Sequence, residues 1–215
     1  QINKKDEMNG AFLGPKFSNN DVKAELLKNE CSFEEHNDKE LAKIISDLIS
    51  KGQVIGLFRG RMEFGPRALG ARSIIADPRS EKMQKTLNRK IKFREDFRPF
   101  APAILREDLT EWFDLKDESP YMMFTDFVAS EKKLEEKENK NEELKGLNKL
   151  SIKRSSIPAV THIDYSARIQ TVDSDRNPFF FLLLSEFKKR TNCPILINTS
   201  FNVRGEPIVC SVEDA

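Results

Sequence analysis

The sequence predicts an α/β fold, a twisted sheet of mixed parallel and antiparallel strands with flanking helices. Three observations predict it: short apolar runs of strand length, amphipathic helical stretches between them, and several strands in direct succession. Asn37 and Asp38 precede Leu41, Ile44, Ile45, Leu48 and Ile49, spaced for one helical face, and Gly52 closes that helix. Residues 54–58 read as a buried strand, and 72–76 as a second one stopped by Asp77 and Pro78. Ser80 is expected to cap a helix whose apolar face is Met83, Leu87 and Ile91. Residues 101–105 and 122–128 follow as strands, then 159–163 and 168–172 around a turn. Asn177 and Pro178 open a helix rich in Phe and Leu, which belongs in the core. Residues 195–197 form a strand leading into the polar run from Asn198 to Asn202, and 207–210 form another.

Composition narrows the function classes. The 215 residues carry 36 Lys and Arg against 35 Asp and Glu, a net charge of +1. That balance excludes a uniformly basic nucleic-acid coat and an acidic tail alike. No apolar run approaches the ~20 residues of a membrane span, and the polar start at residues 1–9 lacks a signal peptide's apolar stretch. Cys31, Cys193 and Cys210 are widely separated, with no paired spacing, and only His36 and His162 accompany them. Reduced core or near-core thiols in a cytoplasmic protein are expected, with no metal centre in this chain.

The average conceals a partition. Between Gly56 and Arg106 stand 13 basic residues and five acidic ones, a local +8, so the remainder carries −7. Such concentration suits an anionic ligand. Residues 131–149 hold six Lys and six Glu in 19 positions. This is expected to be an exposed charged insertion, bounded at 131–153, inside one domain spanning 1–215.

Four polar segments punctuate the strands. The first, Gly60 to Ser73, carries Arg61, Arg67 and Arg72 among three glycines and a proline. Exposed amides with guanidinium forks suit phosphate, although neither a Walker A loop nor a GxGxxG fingerprint is present. The second, Lys90 to Pro102, offers Lys92 and Arg94 on one side of an extended stretch, with Arg98 beyond and Phe97 and Phe100 as anchors. The third contains His162 and Arg168, and the fourth supplies Ser200 and Asn202 just after a buried strand.

In this order, the segments GRMEFGPRALGARSIIADPR, IKFREDFRPFAPAI, IPAVTHIDYSARIQTV and NTSFNVRGEPIV resemble the C-terminal, YrdC-like region of NodU/CmcH-type O-carbamoyltransferases. The KxR…SxN signature appears as Lys92-x-Arg94 and Ser200-x-Asn202. The resemblance implies a YrdC-like sheet that takes ATP, with Mg²⁺, and carbamoyl phosphate and forms carbamoyl-adenylate. A separate N-terminal metal-binding transferase domain, absent from this chain, would then pass the carbamoyl group to a small-molecule hydroxyl. Lys92, Arg98, Ser200 and Asn202 would line the nucleotide, while Arg67, Arg94 and Arg168 hold carbamoyl phosphate or developing anions. Lys92, Arg98 and Arg168 are the candidate catalytic residues, and Lys92→Ala and Arg98→Ala are expected to weaken ATP binding while leaving the melting temperature nearly unchanged. Tyr165 stands where this resemblance leads one to expect a small residue, often Gly. Threonylcarbamoyl-adenylate synthesis is disfavoured by the GPRALG and RPFAP segments. A non-catalytic docking domain and a basic nucleic-acid-binding module are the alternatives, the latter disfavoured because the Phe residues beside the cations are flanked by Pro.

Overall fold

The computed structural model describes residues 6–134 and 153–215, so most of the charged stretch expected at 131–153 lies outside the described residues. The helices of at least one full turn are α1 (Asn19–Lys28), α2 (Asp38–Ser50), α3 (Met83–Lys90), α4 (Leu109–Trp112) and α5 (Pro178–Thr191). The strands are β1 (Ile55–Phe58), β2 (Arg72–Ala76), β3 (Ala101–Leu105), β4 (Phe124–Phe127), β5 (Ser166–Val172) and β6 (Ile195–Ser200). They form one six-stranded sheet in the order β1-β2-β6-β3-β5-β4. All neighbours are antiparallel except β3 and β5, which run parallel. The mixed sheet agrees with the predicted fold class.

Local chemistry accounts for most elements. Asn37 Oδ1 accepts the amides of Lys39 and Glu40 at 3.1 and 3.0 Å, and Glu40 reaches back to the Asn37 amide, so α2 begins in a capping box. Ala42, Ile45 and Ile49 bury its apolar face, and Gly52 ends it with a φ of +86°. Asn177 caps α5 through the Phe180 amide, Pro178 occupies the first turn, and Phe179, Phe180, Leu183, Leu184 and Phe187 are buried. α2 packs along α5, which also lies against β3 and β6. One apolar cluster joins these helices to the central strands.

Four expectations are corrected. β1 is only half-buried, because it is an edge strand paired with β2 alone. Ser80 contributes its backbone carbonyl, not a side-chain cap, and Lys82 occupies the position before α3. Residues 159–163 are not a strand: Pro158 starts a short 3₁₀ turn, Pro158–Val160, after which Thr161 Oγ1 donates back to the Ile157 carbonyl. Residues 207–210 find no ladder partner beyond the Val209 amide donating to the Phe201 carbonyl, and remain irregular. Cys193 is buried as expected, its thiol pushed up to about 12 by burial, but Cys31 and Cys210 are exposed.

Candidate functional site

Strand register gathers the four polar segments. Phe58 at the end of β1 faces Arg72 at the start of β2, and Ser73 faces Ser200 at the end of β6. Asn198 faces Ala101 at the start of β3, which runs parallel to β5. Followed strand by strand, the 59–71 loop, the 91–100 segment, the 161–165 turn and the 201–207 loop therefore meet along one end of the sheet. Alternation also puts Ser73, Asn198, Ser200, Ala101, Arg168 and Gln170 on one face.

That face holds the first loop in place. Glu63, buried, accepts the amides of Leu69, Ala71 and Arg72 on one carboxylate oxygen, at 2.7, 2.7 and 3.3 Å. Asn198 Nδ2 donates to the Ala68 carbonyl at 3.0 Å and to Gln170 Oε1 at 2.6 Å. Gln170 Nε2 donates to the Leu69 carbonyl at 2.9 Å, and Ser73 Oγ accepts the Gly70 amide. The small side chain of Ala103, between Gln170 and Leu196, leaves room for the amides to meet.

Fixed in this way, the loop carries Arg67 to Arg168. Both arginines are half-buried, and the Nε of each is shut from solvent with no hydrogen-bond partner. Burial first, and then the charge of Arg67, pull the Arg168 guanidinium below its ordinary pKa. No carboxylate pairs with either among the described residues. Two like charges held together without a counter-charge have the chemistry to take an oxyanion. The other loop arginines do not join it, contrary to the picture of three exposed forks. Arg61 donates to the Gly14 carbonyl. Arg72 is wholly buried, lies 3.6 Å from the Phe58 ring centroid and donates to the Arg59, Gly60 and Ala71 carbonyls.

The signature residues form a second, adjoining group. Lys92 Nζ donates to Asn202 Oδ1 at 2.8 Å and the Asn202 carbonyl at 3.0 Å, and also approaches the Ser200 carbonyl and hydroxyl. Ser200 Oγ donates to Asn202 Oδ1 at 2.6 Å. Burial, followed by the charge of Arg94, pushes the Lys92 ammonium down to about 8. Phe93, with a φ of +47°, breaks the extended stretch expected here. Arg94 turns to Asn88 Oδ1 at 2.7 Å and stacks over Phe100, while Arg98 lies exposed against Glu95. Arg98 still acts electrostatically on Arg94, whose pKa is lowered by burial and then by that neighbour.

With this geometry in place, comparison with known proteins is direct. The family model described as Carbamoyltransferase C-terminus matches residues 46–215. The chain belongs to this family. This carbamoyltransferase C-terminal chain is 39% identical to Nodulation protein NolO of Bradyrhizobium diazoefficiens, over 98% of its own length and 35% of NolO. It is 35% identical to a 3′-hydroxymethylcephem-O-carbamoyltransferase of Streptomyces clavuligerus, over 79% of its length and 28% of that enzyme. Identity reaches 48% with the uncharacterized protein sll1178 of Synechocystis, over the whole chain and 35% of that protein. The chain thus spans about a third of the length of these relatives. Among its described residues, no helix is long and apolar enough to cross a membrane, and no group of three or more His, Cys, Asp or Glu is gathered for a metal.

Sequence reasoning missed the supports of the first loop: Glu63, Ser73, Gln170 and Asn198. Their signal was present as polar side chains at strand or loop positions that must be buried, but a single sequence does not say which partners they meet. Tyr165 has a φ of +66°, the left-handed region glycine favours. Lys92 acquires a structural role that its motif did not announce. Lys92→Ala is now expected to cost about 2 kcal/mol by removing charge-assisted hydrogen bonds from a part-buried clasp. The melting temperature should fall by about 4–8 °C in thermal denaturation; an unchanged value would remove the clasp from the account.

Proposed function

We propose that this chain is the adenylate-forming part of an O-carbamoyltransferase. The observation that carries the reading is the Arg67–Arg168 pair, two mutually repelling guanidinium groups held without a carboxylate beside the Lys92–Ser200–Asn202 clasp. Carbamoyl phosphate is the oxyanion for that pair. Hydrolysis of its C–O–P linkage yields carbamate and inorganic phosphate. A carbamate oxygen then attacks the α-phosphorus of ATP, the bond to the bridging oxygen breaks, and pyrophosphate leaves with its electron pair. Carbamoyl-adenylate remains.

The difficulty in the second step is the approach of two anions. Fixed cations lower it by neutralising charge and aligning the groups in a partly dry site. Carbamate needs no base, since its oxygen is already deprotonated. Arg98 and Arg94 extend the positive field towards the polyphosphate, and the loop from Ser200 to Asn202 bounds the nucleotide. Mg²⁺ would accompany the ATP. The remainder of a protein of the relatives' length would supply the transferase step to an acceptor hydroxyl, and the relative named as a hydroxymethylcephem carbamoyltransferase supports that acceptor class.

Pyrophosphate release from ATP, measured with and without carbamoyl phosphate in the full-length protein, tests the reading. Release that depends on carbamoyl phosphate is expected. Binding of both substrates with no such release would reduce the chain to a docking domain. Tight binding of an oligonucleotide with no ATP heat would replace the enzyme reading with nucleic-acid binding.

A further inference from the structure

The stretch from Asp6 to Lys16 lies outside every strand of the sheet, yet it grips the loop that carries Arg67. The Phe64 amide donates to the Ala11 carbonyl at 2.7 Å. The Met62 amide donates to the Pro15 carbonyl and the Met62 carbonyl accepts the Gly14 amide, each at 2.9 Å. Arg61 adds its contact to the Gly14 carbonyl, and Lys16 bridges to Arg61 in antiparallel register. Ala11, Leu69, Ala101 and Met122 are buried in a small apolar cluster of their own, against which Phe12 and Tyr121 pack. The loop is thus held at two places: residues 61–64 by this segment, and residues 68–71 by Glu63, Asn198, Gln170 and Ser73. Gly65, Pro66 and Arg67 span the gap between the two anchors.

The segment reaches the loop through a strained turn. Asn9, Gly10 and Ala11 follow one another at φ of +48°, +67° and +64°. Left-handed backbone is disfavoured for a residue with a Cβ, and it persists where the surroundings impose it. Here the surroundings meet at Asp6. Its Oδ1 accepts the Met8 amide at 3.1 Å and the Tyr121 hydroxyl. Its Oδ2 accepts the Gly10 amide and Arg176 Nε, both at 2.9 Å. Arg176 is itself fixed by Asp173 and Glu118. Burial would raise the Asp6 carboxyl, but Tyr121, the Gly10 amide and Arg176 outweigh it and hold the group below its ordinary value. Donors on both oxygens call for a carboxylate, because an amide accepts on one side only.

We infer that Asp6 is a positioning residue for the oxyanion pair: through the turn at Asn9–Ala11 it fixes the end of the loop from which Arg67 meets Arg168. This rests on the carbamoyl phosphate reading above and adds to it a residue that touches neither substrate. With the latch made, Arg67 stands between two fixed anchors, which together withstand its repulsion from Arg168. With the latch broken, residues 61–64 loosen and that repulsion carries Arg67 away. Lys92 and the loop after β6 belong to other segments, so the nucleotide side keeps its geometry.

Calorimetric titration of the full-length protein with carbamoyl phosphate and with ATP tests this in two variants. Asp6→Asn keeps the shape but turns one acceptor oxygen into an amide that faces two donors. Gly10→Ala leaves every charge in place and puts a Cβ 2.9 Å from the Phe12 ring and 3.2 Å from Arg176 Cβ, at a φ of +67°. In each, carbamoyl phosphate affinity should fall about tenfold through misplacement of Arg67, while ATP binds as before. Ile49→Val, in the buried face of α2, is the control for lowered stability alone. Unchanged carbamoyl phosphate affinity in either variant, a parallel loss of ATP affinity, or an equal loss in Ile49→Val overturns the positioning role and leaves the proposed reaction standing. Absence of carbamoyl phosphate binding in the unsubstituted protein overturns both.

Discussion

Arg168→Met is expected to weaken carbamoyl phosphate binding about 100-fold, the loss of a bidentate charge-assisted contact, without destabilising the ligand-free protein. The two effects have one cause. Arg168 is held charged beside Arg67 in a half-buried setting, and burial together with that neighbour already disfavours its charge. Methionine keeps the length and apolar stem of the side chain and removes the repulsion. The ligand-free melting temperature should therefore stay level or rise, while the stabilisation conferred by carbamoyl phosphate disappears. Thermal melts with and without ligand, read alongside titration calorimetry, separate these outcomes. A melting temperature that falls while affinity is retained would make Arg168 a packing residue and remove the oxyanion receptor.

Gly70→Ala is expected to produce the largest loss of stability from a single methyl group. Gly70 has a φ of +107°, and an added Cβ would lie 2.4 Å from Phe180 Cδ1 and 3.0 Å from Asn177 Nδ2. Backbone strain and overpacking together should cost about 3 kcal/mol, lowering the melting temperature by about 6–12 °C. Phe180 and Asn177 form the first turn and cap of α5, so the damage reaches the core and not only the loop. Gly65→Ala is the control: Gly65 also has a positive φ, of +137°, but nothing lies within 4 Å of its added Cβ. Equal losses in the two variants would assign the whole effect to backbone conformation and none to contact with α5.

These two residues differ in how far the sequence discloses them. Arg168 was legible as a candidate because its segment is ordered among three others, and residues 168–172 were expected as a strand beside a turn. Arg67 was grouped with it only through the resemblance; how they meet was not legible, because it depends on Glu63, Asn198 and Gln170 pinning a loop across the sheet. Hydrophobic period reveals which side chains are buried, but it carries no information about polar contacts 101 or 130 residues apart. The same limit explains Lys92, read as an open phosphate ligand yet found clasping the loop after β6, at a separation of 108–110 residues. Helices α2 and α5 were legible through their caps, and α3 through its apolar spacing alone. The false strands at 159–163 and 207–210 had suitable residues but no neighbouring edge to complete a ladder.

The strand order has a consequence for the life of the chain on the ribosome. β6 is the last of these six strands to be synthesised, yet it lies between β2 and β3 and bonds to both. Until residues 195–200 have emerged, the two halves of the sheet have no common seam, and the loop bearing Arg67 lacks its anchor at Asn198. The nascent chain must hold exposed β2 and β3 edges through more than 90 residues of further synthesis, counting from the end of β3 at Leu105 to Asn198. Closure by such a distant segment is slow relative to local hairpin formation. Premature release before β6 should therefore yield an aggregation-prone chain rather than a weakened enzyme.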